Sequence, residues 1–333
     1  MSLPRAYVDG FLVEWEAGEY KAQVKMLRAT SKAIRLFGSE QGAGRGTGTS
    51  ADTAKRAQAV RERLARTVRR VPEVMVKITS GSKGMKQIGR HFNYISRDGQ
   101  IELEDQDGLV VKGKAELKEL KDDWRSGGLE PIGETSDRRD TLNIVFSMPA
   151  QTDEVSLKRA LRAFAKTEFA RHSYVFAYHT PSTDPDPDPP DHPHIHLSVK
   201  IEGHDGRRLN PRKADLQRWR EGFAHELRAH GIEANATSRL ARLRRDRGEK
   251  RGRVEAQARG ASTWTGRTAL DPERLAVAQK LEKDRIDYVY AASKVLGQSE
   301  DPTDRALAVD IARHLQMELK VKAPAIARPE PER

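Results

Sequence analysis

The chain has 333 residues, with 60 Lys and Arg against 49 Asp and Glu and a net charge of +11. That length suits one large domain or two moderate ones, and the basic excess favours an anionic partner, nucleic acid first. There is no cysteine, which excludes disulfides and thiolate chemistry. No run of about 18 apolar residues occurs, and Met1 to Gly10 lacks a signal-peptide core, so neither a membrane span nor a leader is expected.

Residues 1–70 read as a helical appendage, interrupted by a Gly/Ser/Thr-rich link at 38–49. Residues 12–36 suit a helix of mixed polarity. Ala51 to Arg70 is rich in Ala, Arg and Glu, with Val60, Leu64 and Val68 in a narrow stripe. A solvated basic helix and a DNA-contacting one both fit it.

A compact domain is expected over 71–240. Val74, Val76 and Ile78 alternate with Met75, Lys77 and Thr79 as a first strand. After the turn at Gly81-Ser82-Lys83-Gly84, Met85 to Ile95 fits a helix whose core stripe is Ile88, Phe92 and Ile95. Tyr94 lies beside that stripe and shares a helix side with Gln87, Arg90 and His91. Two short strands follow, Ile101–Leu103 and Leu109–Val111, then a helix carrying Leu117, Leu120 and Trp124. Thr141 to Met148 alternates strongly, and Asp153 caps a helix running to Ala170. Tyr174 to His179 is another strand. The Asp-Pro repeat from Ser182 to Pro190 can form neither helix nor central strand, so it is a loop. Asn210-Pro211 opens a helix with Asn as cap, and Gly231 stops it.

The basic stretch Thr237–Gly260 holds nine Arg or Lys against three acids. A DNA-contacting segment is placed at 241–265, C-terminal helices at 266–321 and a Pro-rich tail at 322–333. The fold class expected is α+β: an antiparallel sheet with helices stacked on one face, plus helical N- and C-terminal extensions.

The most informative stretch is Asp191-His192-Pro193-His194-Ile195-His196, continuing to Ile201. A strand has period two, so its histidines share one face while Ile195, Leu197, Val199 and Ile201 take the other. If this strand pairs with the one ending in His179, three imidazoles converge. Clustered neutral nitrogen donors suit a divalent metal. The polar face of the sheet would then carry Thr79, Asn143, Ser147, His179, His194 and His196.

Several segments together resemble one family: Phe92-Asn93-Tyr94-Ile95-Ser96-Arg97-Asp98-Gly99, Ile144 to Ala150, Ala177-Tyr178-His179, the Asp191–His196 run, and His230-Gly231-Ile232 with Ala236 to Arg239. They look like conjugative relaxases of the T-DNA border endonuclease type (the MOB-P class), within the HUH (His-hydrophobic-His) nuclease superfamily. The resemblance runs from about Val74 to Arg239. It implies a site- and strand-specific DNA nickase that cuts at a transfer origin, stays bonded to the 5′ end through a phosphotyrosine, and rejoins the ends. The family nucleophile falls on Tyr94, the metal ligands on His179, His194 and His196, and the acidic residue on Asp191.

His192 shares the strand face, but three histidines along one strand span roughly 14 Å, too far for one ion. His192 is therefore expected beside the ligands or against phosphate, and Arg90 and His91, on the helix side of Tyr94, are candidates for phosphate contact or proton removal. Lys83, Arg97, Arg239, Arg242, Arg244 and Arg245 are expected as DNA contacts. Mg²⁺ or Mn²⁺ is implied by the resemblance, whereas an all-histidine site favours Zn²⁺ or another transition metal. Implied partners are single-stranded origin DNA, accessory proteins of the relaxosome and a type IV secretion coupling protein. The implied location is the donor cytoplasm, followed by passage with the strand into a recipient. Other readings are a rolling-circle initiator, whose nucleophile would follow the histidine strand, a non-catalytic DNA-binding accessory protein, and a metal-dependent hydrolase without a covalent step.

Overall fold

The structure is a computed structural model that describes residues 2–21, 49–187, 189–237, 256, 259–260 and 272–321. Outside the described residues lie the expected helix beyond Lys21, most of the 38–49 link, nearly all of the 241–265 segment, and the tail. Arg239, Arg242, Arg244 and Arg245 are among them. The chain divides into two units, one of Val71–Ala236 and one of Met1–Arg70 with Thr237–Arg333.

Among the described residues, the first unit is built on a six-stranded sheet. Its strands are β1 (Met75–Ser80), β2 (Leu103–Asp105), β3 (Val110–Val111), β4 (Thr141–Ser147), β5 (Tyr174–His179) and β6 (His194–Lys200), in the order β1-β4-β6-β5-β2-β3. Every pairing is antiparallel. Alternation along each strand decides what each face meets. Val76, Leu142, Ile144, Phe146, Phe176, Ile195, Leu197 and Val199 turn to one side. There they pack on α5 (Glu154–Glu168) and α6 (Lys213–Ala229). Phe146, Phe164 and Phe223 meet edge to face at 5.0 to 6.0 Å between centroids. Burying each ring contributes about 2–3 kcal/mol.

The α+β class with an antiparallel sheet is as expected. Its helices are spread more widely than one face. α3 (Gly84–Ser96) and α4 (Gly113–Ser126) cover part of the opposite side through Ile88, Phe92, Ile95 and Trp124, which pack on Leu103, Val175 and Ala177. Val175 and Ala177 give β5 an apolar patch on the same side as His179, and that patch draws α3 towards the histidines.

Local chemistry sets the helix ends. Asp153 caps α5 by accepting the Ser156 N–H at 2.8 Å, as the sequence suggests. The start of α6 differs from expectation: it begins at Lys213, beyond Asn210-Pro211. The Asp215 carboxylate reaches back to the Arg212 N–H at 2.7 Å and fixes the first turn there. Gly231, at φ 82°, ends the helix in a conformation that suits glycine. The chain enters and leaves the unit side by side, because Val74 N–H donates to the Asn235 carbonyl and Asn235 N–H to that of Pro72.

The second unit is helical in its described residues: α1 (Arg5–Lys21), α2 (Ser50–Val68), α7 (Pro272–Gly297) and α8 (Pro302–Val321). They share one core containing Phe11, Leu12, Trp15, Val60, Leu64, Tyr288, Ala292, Leu296 and Ile311. The α2 stripe is thus a packing stripe. Within this core Arg61 is buried between Asp9 (2.6 Å) and Asp304 (2.6 and 3.0 Å). No described helix is long and apolar enough to cross a membrane.

Candidate active site

His194 and His196 stand two apart on β6 and so share a face. Cross-strand register sets His179 opposite His194, with Ala177 opposite His196. The small alanine leaves room for the imidazoles to approach. Their ring centroids lie 4.9 to 5.1 Å apart, and one nitrogen from each falls within 4.8 Å of the others. This is a group that could hold a metal ion.

The chemistry of the trio fits that role. Burial, followed by the neighbouring imidazoles, pushes His196 down to about 2, and burial pushes His194 down to about 4. Both rings are therefore neutral near pH 7 and keep lone pairs for a cation. His179 is fully buried. Its Nδ1 lies 2.8 Å from Asp184 Oδ2, and its Nε2 lies 2.7 Å from the carbonyl oxygen of Ile95. Both neighbours are acceptors, and a neutral ring donates only one hydrogen. Carboxylate-oriented histidines of this kind are common metal ligands.

Packing of Ile88, Phe92 and Ile95 into the core turns the other side of α3 towards the trio. Tyr94 projects there, 56% exposed, with its ring edge-on to His196 at 5.9 Å between centroids. His91, one turn earlier, lies 6.3 Å from the Tyr94 ring. Burial holds its imidazole down to about 4, and its Nε2 has no hydrogen-bond partner among the described residues.

Arg97 follows the helix in a left-handed conformation, φ 49° and ψ 52°. A non-glycine residue there costs roughly 1 kcal/mol. Its side chain grips Asp184 through Nε (2.8 Å) and Nη2 (2.9 Å), and its guanidinium carbon lies 5.0 Å from the Tyr94 ring centroid.

Other expected residues fall in different places. Asp191 has a 94% exposed side chain set against His192 at 2.9 Å. The acid that orients a trio member is Asp184, which sequence reasoning missed. Its carboxylate is fully buried, and Arg97, then His179, hold it well below the usual carboxylate range. Arg97 is correspondingly an internal partner of Asp184, where a DNA contact was expected. His192 sits beside His194, 5.9 Å between ring centroids. Lys83 and Arg90 are exposed at the start and along the length of α3.

No protein-family model matches the chain. Over 186 residues it is 29% identical to the T-DNA border endonuclease VirD2 of Rhizobium radiobacter. The match covers 51% of this chain and 43% of that protein, less than half of its length.

Proposed function

We propose that this chain nicks single-stranded DNA at the nick site of a transfer origin, acting as a conjugative relaxase with Tyr94 as nucleophile. The observation that carries the reading is that Tyr94 stands beside His196, one of three imidazoles (with His179 and His194) that converge from segments far apart in sequence. The similarity to a T-DNA border endonuclease supports it independently.

In this reading Tyr94 Oη attacks the phosphorus in line, and the bond to the deoxyribose 3′ oxygen breaks. The 3′ oxygen leaves and takes up a proton, while the 5′ phosphate stays on the tyrosine. Attack by a 3′ hydroxyl reverses the step, so resealing needs no nucleotide cofactor. A phenol is a weak nucleophile when protonated. His91 is neutral at pH 7, lies on the same helix side with its ring 6.3 Å from that of Tyr94, and stands outside the trio, which makes it a candidate to accept the proton. His179, His194 and His196 would hold a divalent cation, which supplies Lewis-acid charge relief at a non-bridging phosphate oxygen. Mg²⁺ or Mn²⁺ follows from the resemblance, and Zn²⁺ from the donor set. His192, Arg90 and Lys83 supply phosphate contacts. Accessory relaxosome proteins and a secretion coupling protein complete the proposed partners, in a donor cytoplasm.

A rolling-circle initiator would place its tyrosine after the histidine strand. Of the two candidates there, Tyr288 is buried and stacked on Trp15 at 4.5 Å, and Tyr290, though 57% exposed, belongs to the helical unit, whereas Tyr94 stands beside His196 of the trio.

The test is incubation with single-stranded origin DNA and Mg²⁺ or Mn²⁺, followed by denaturation. A protein–DNA adduct is expected from the wild type and none from Tyr94→Phe. Cleavage without an adduct would make the chain a plain hydrolase. Binding without cleavage would make it an accessory protein.

A further inference from the structure

Tyr94 projects into solvent, and little holds its ring. Its ring neighbours are His196 to one side, His91 a turn below, and the Arg97 guanidinium across its face. Arg97 also donates from Nη1 to the Tyr94 carbonyl oxygen at 3.2 Å. Its own backbone is strained: Arg97 and Asp98 both have positive φ, at the helix end where glycine is the easy choice. Such an outlier persists where surrounding contacts over-determine it.

Those contacts converge on one group. Asp184 takes both prongs of the Arg97 fork and, on Oδ2, also meets His179 Nδ1. Its Oδ1 accepts the Asp186 N–H at 3.1 Å, and Asp186 adds a second carboxylate 3.6 Å from Arg97. The Asp-Pro loop is thereby folded onto the end of α3. A planar fork fixes direction as well as distance, which a lysine cannot do.

We infer that Arg97 and Asp184 form a positioning clamp, in which one buried carboxylate sets the His179 ring and, through the Arg97 fork, the Tyr94 ring, so that nucleophile and imidazole trio keep a fixed mutual geometry. Arg97 is a positioning residue in this account, and it does not contact DNA. The inference rests on the nickase reading for its catalytic consequence, although the clamp itself is a structural property.

The test uses the full chain and the variants Arg97→Lys and Asp184→Asn, alone and combined. Single-turnover adduct formation at saturating oligonucleotide should slow at least about tenfold in each single variant, because misplacing a reacting group is costly. Oligonucleotide affinity and its salt dependence should stay within about twofold. The double variant should be no slower than the worse single one, since both break the same couple.

A second readout does not need activity: 3-fluorotyrosine at position 94, followed by ¹⁹F NMR. Wild type should give a ring signal displaced from that of the urea-unfolded protein, and both variants should move it towards the unfolded position. Unchanged adduct rates with weakened, less salt-sensitive binding would make Arg97 a phosphate contact and overturn the clamp. So would additive losses, or a ¹⁹F signal indifferent to both substitutions. If no adduct forms even in wild type, the nickase reading fails, and the ¹⁹F measurement still decides the clamp.

Discussion

At the scale of single residues, the site depends on imidazoles kept neutral by burial. His91 and His194 are held at about 4 and His196 at about 2, each below the ordinary 6.5. Between those values and 6.5 the unfolded chain binds protons that the folded chain does not, so stability falls as pH drops through that window. The slope is up to about 1.4 kcal/mol per pH unit for each such histidine. Denaturant unfolding of chelator-treated protein at pH 7, 6, 5 and 4.5 measures it, and a flat profile would contradict the burial argument. His196→Ala should weaken divalent-ion binding by more than about 100-fold in calorimetry, with circular dichroism unchanged. Parity made His194 and His196 readable from sequence, and a strand-end position made His179 readable. Asp184 was not, because nothing in an Asp-Pro repeat distinguishes it from Asp186 or Asp191. Only the path of the loop brings it inside. The Arg97–Asp184 pair was hidden for the converse reason: a charge in a basic protein suggests a ligand, and this acidic partner lies 87 residues away.

Among the elements, α3 carries Tyr94, so its seat matters most to the proposed reaction. Gly84 begins it at φ +68°, and a Cβ there would come within 2.4 Å of the Glu134 carbonyl oxygen. Gly84 N–H also donates to Asp140 at 2.8 Å. Gly84→Ala should therefore destabilise by about 2 kcal/mol or more and slow adduct formation. An unaltered denaturation midpoint would show that this seat yields easily. Under the other face, Phe146 is fully buried against Phe164 and Phe223. Phe146→Ala should cost about 3–5 kcal/mol by denaturant unfolding. The long strands were legible because alternation between core and surface is itself the sequence signal. The covering of the histidine side by α3 and α4 was not. Its only sign is the pair Val175 and Ala177, which reads equally well as an ordinary strand. The α6 start was misplaced because Asn-Pro is a good opening, and Asp215, three residues past the true cap, overrides it.

For the molecule as a whole, the terminal segments read separately in sequence but share one core. An apolar stripe such as Val60, Leu64 and Val68 says that a helix has a partner, not which one. The tie that names the partner is Arg61, buried between Asp9 and Asp304. Arg61→Ala leaves two carboxylates buried without their counter-charge. It should destabilise the helical unit by about 3–5 kcal/mol, read as an earlier loss of helical signal on heating. A melting curve superimposable on wild type would mean the triad is dispensable. This arrangement also bears on biogenesis. Roughly 200 residues separate the end of α2 from the start of α7, so at about 5–20 residues per second the nascent α1 and α2 wait some 10–40 s for the helices that cover them. During that interval Phe11, Leu12 and Trp15 stay open to chaperones. The intervening sheet, whose two ends already meet at Val74 and Asn235, can finish folding first.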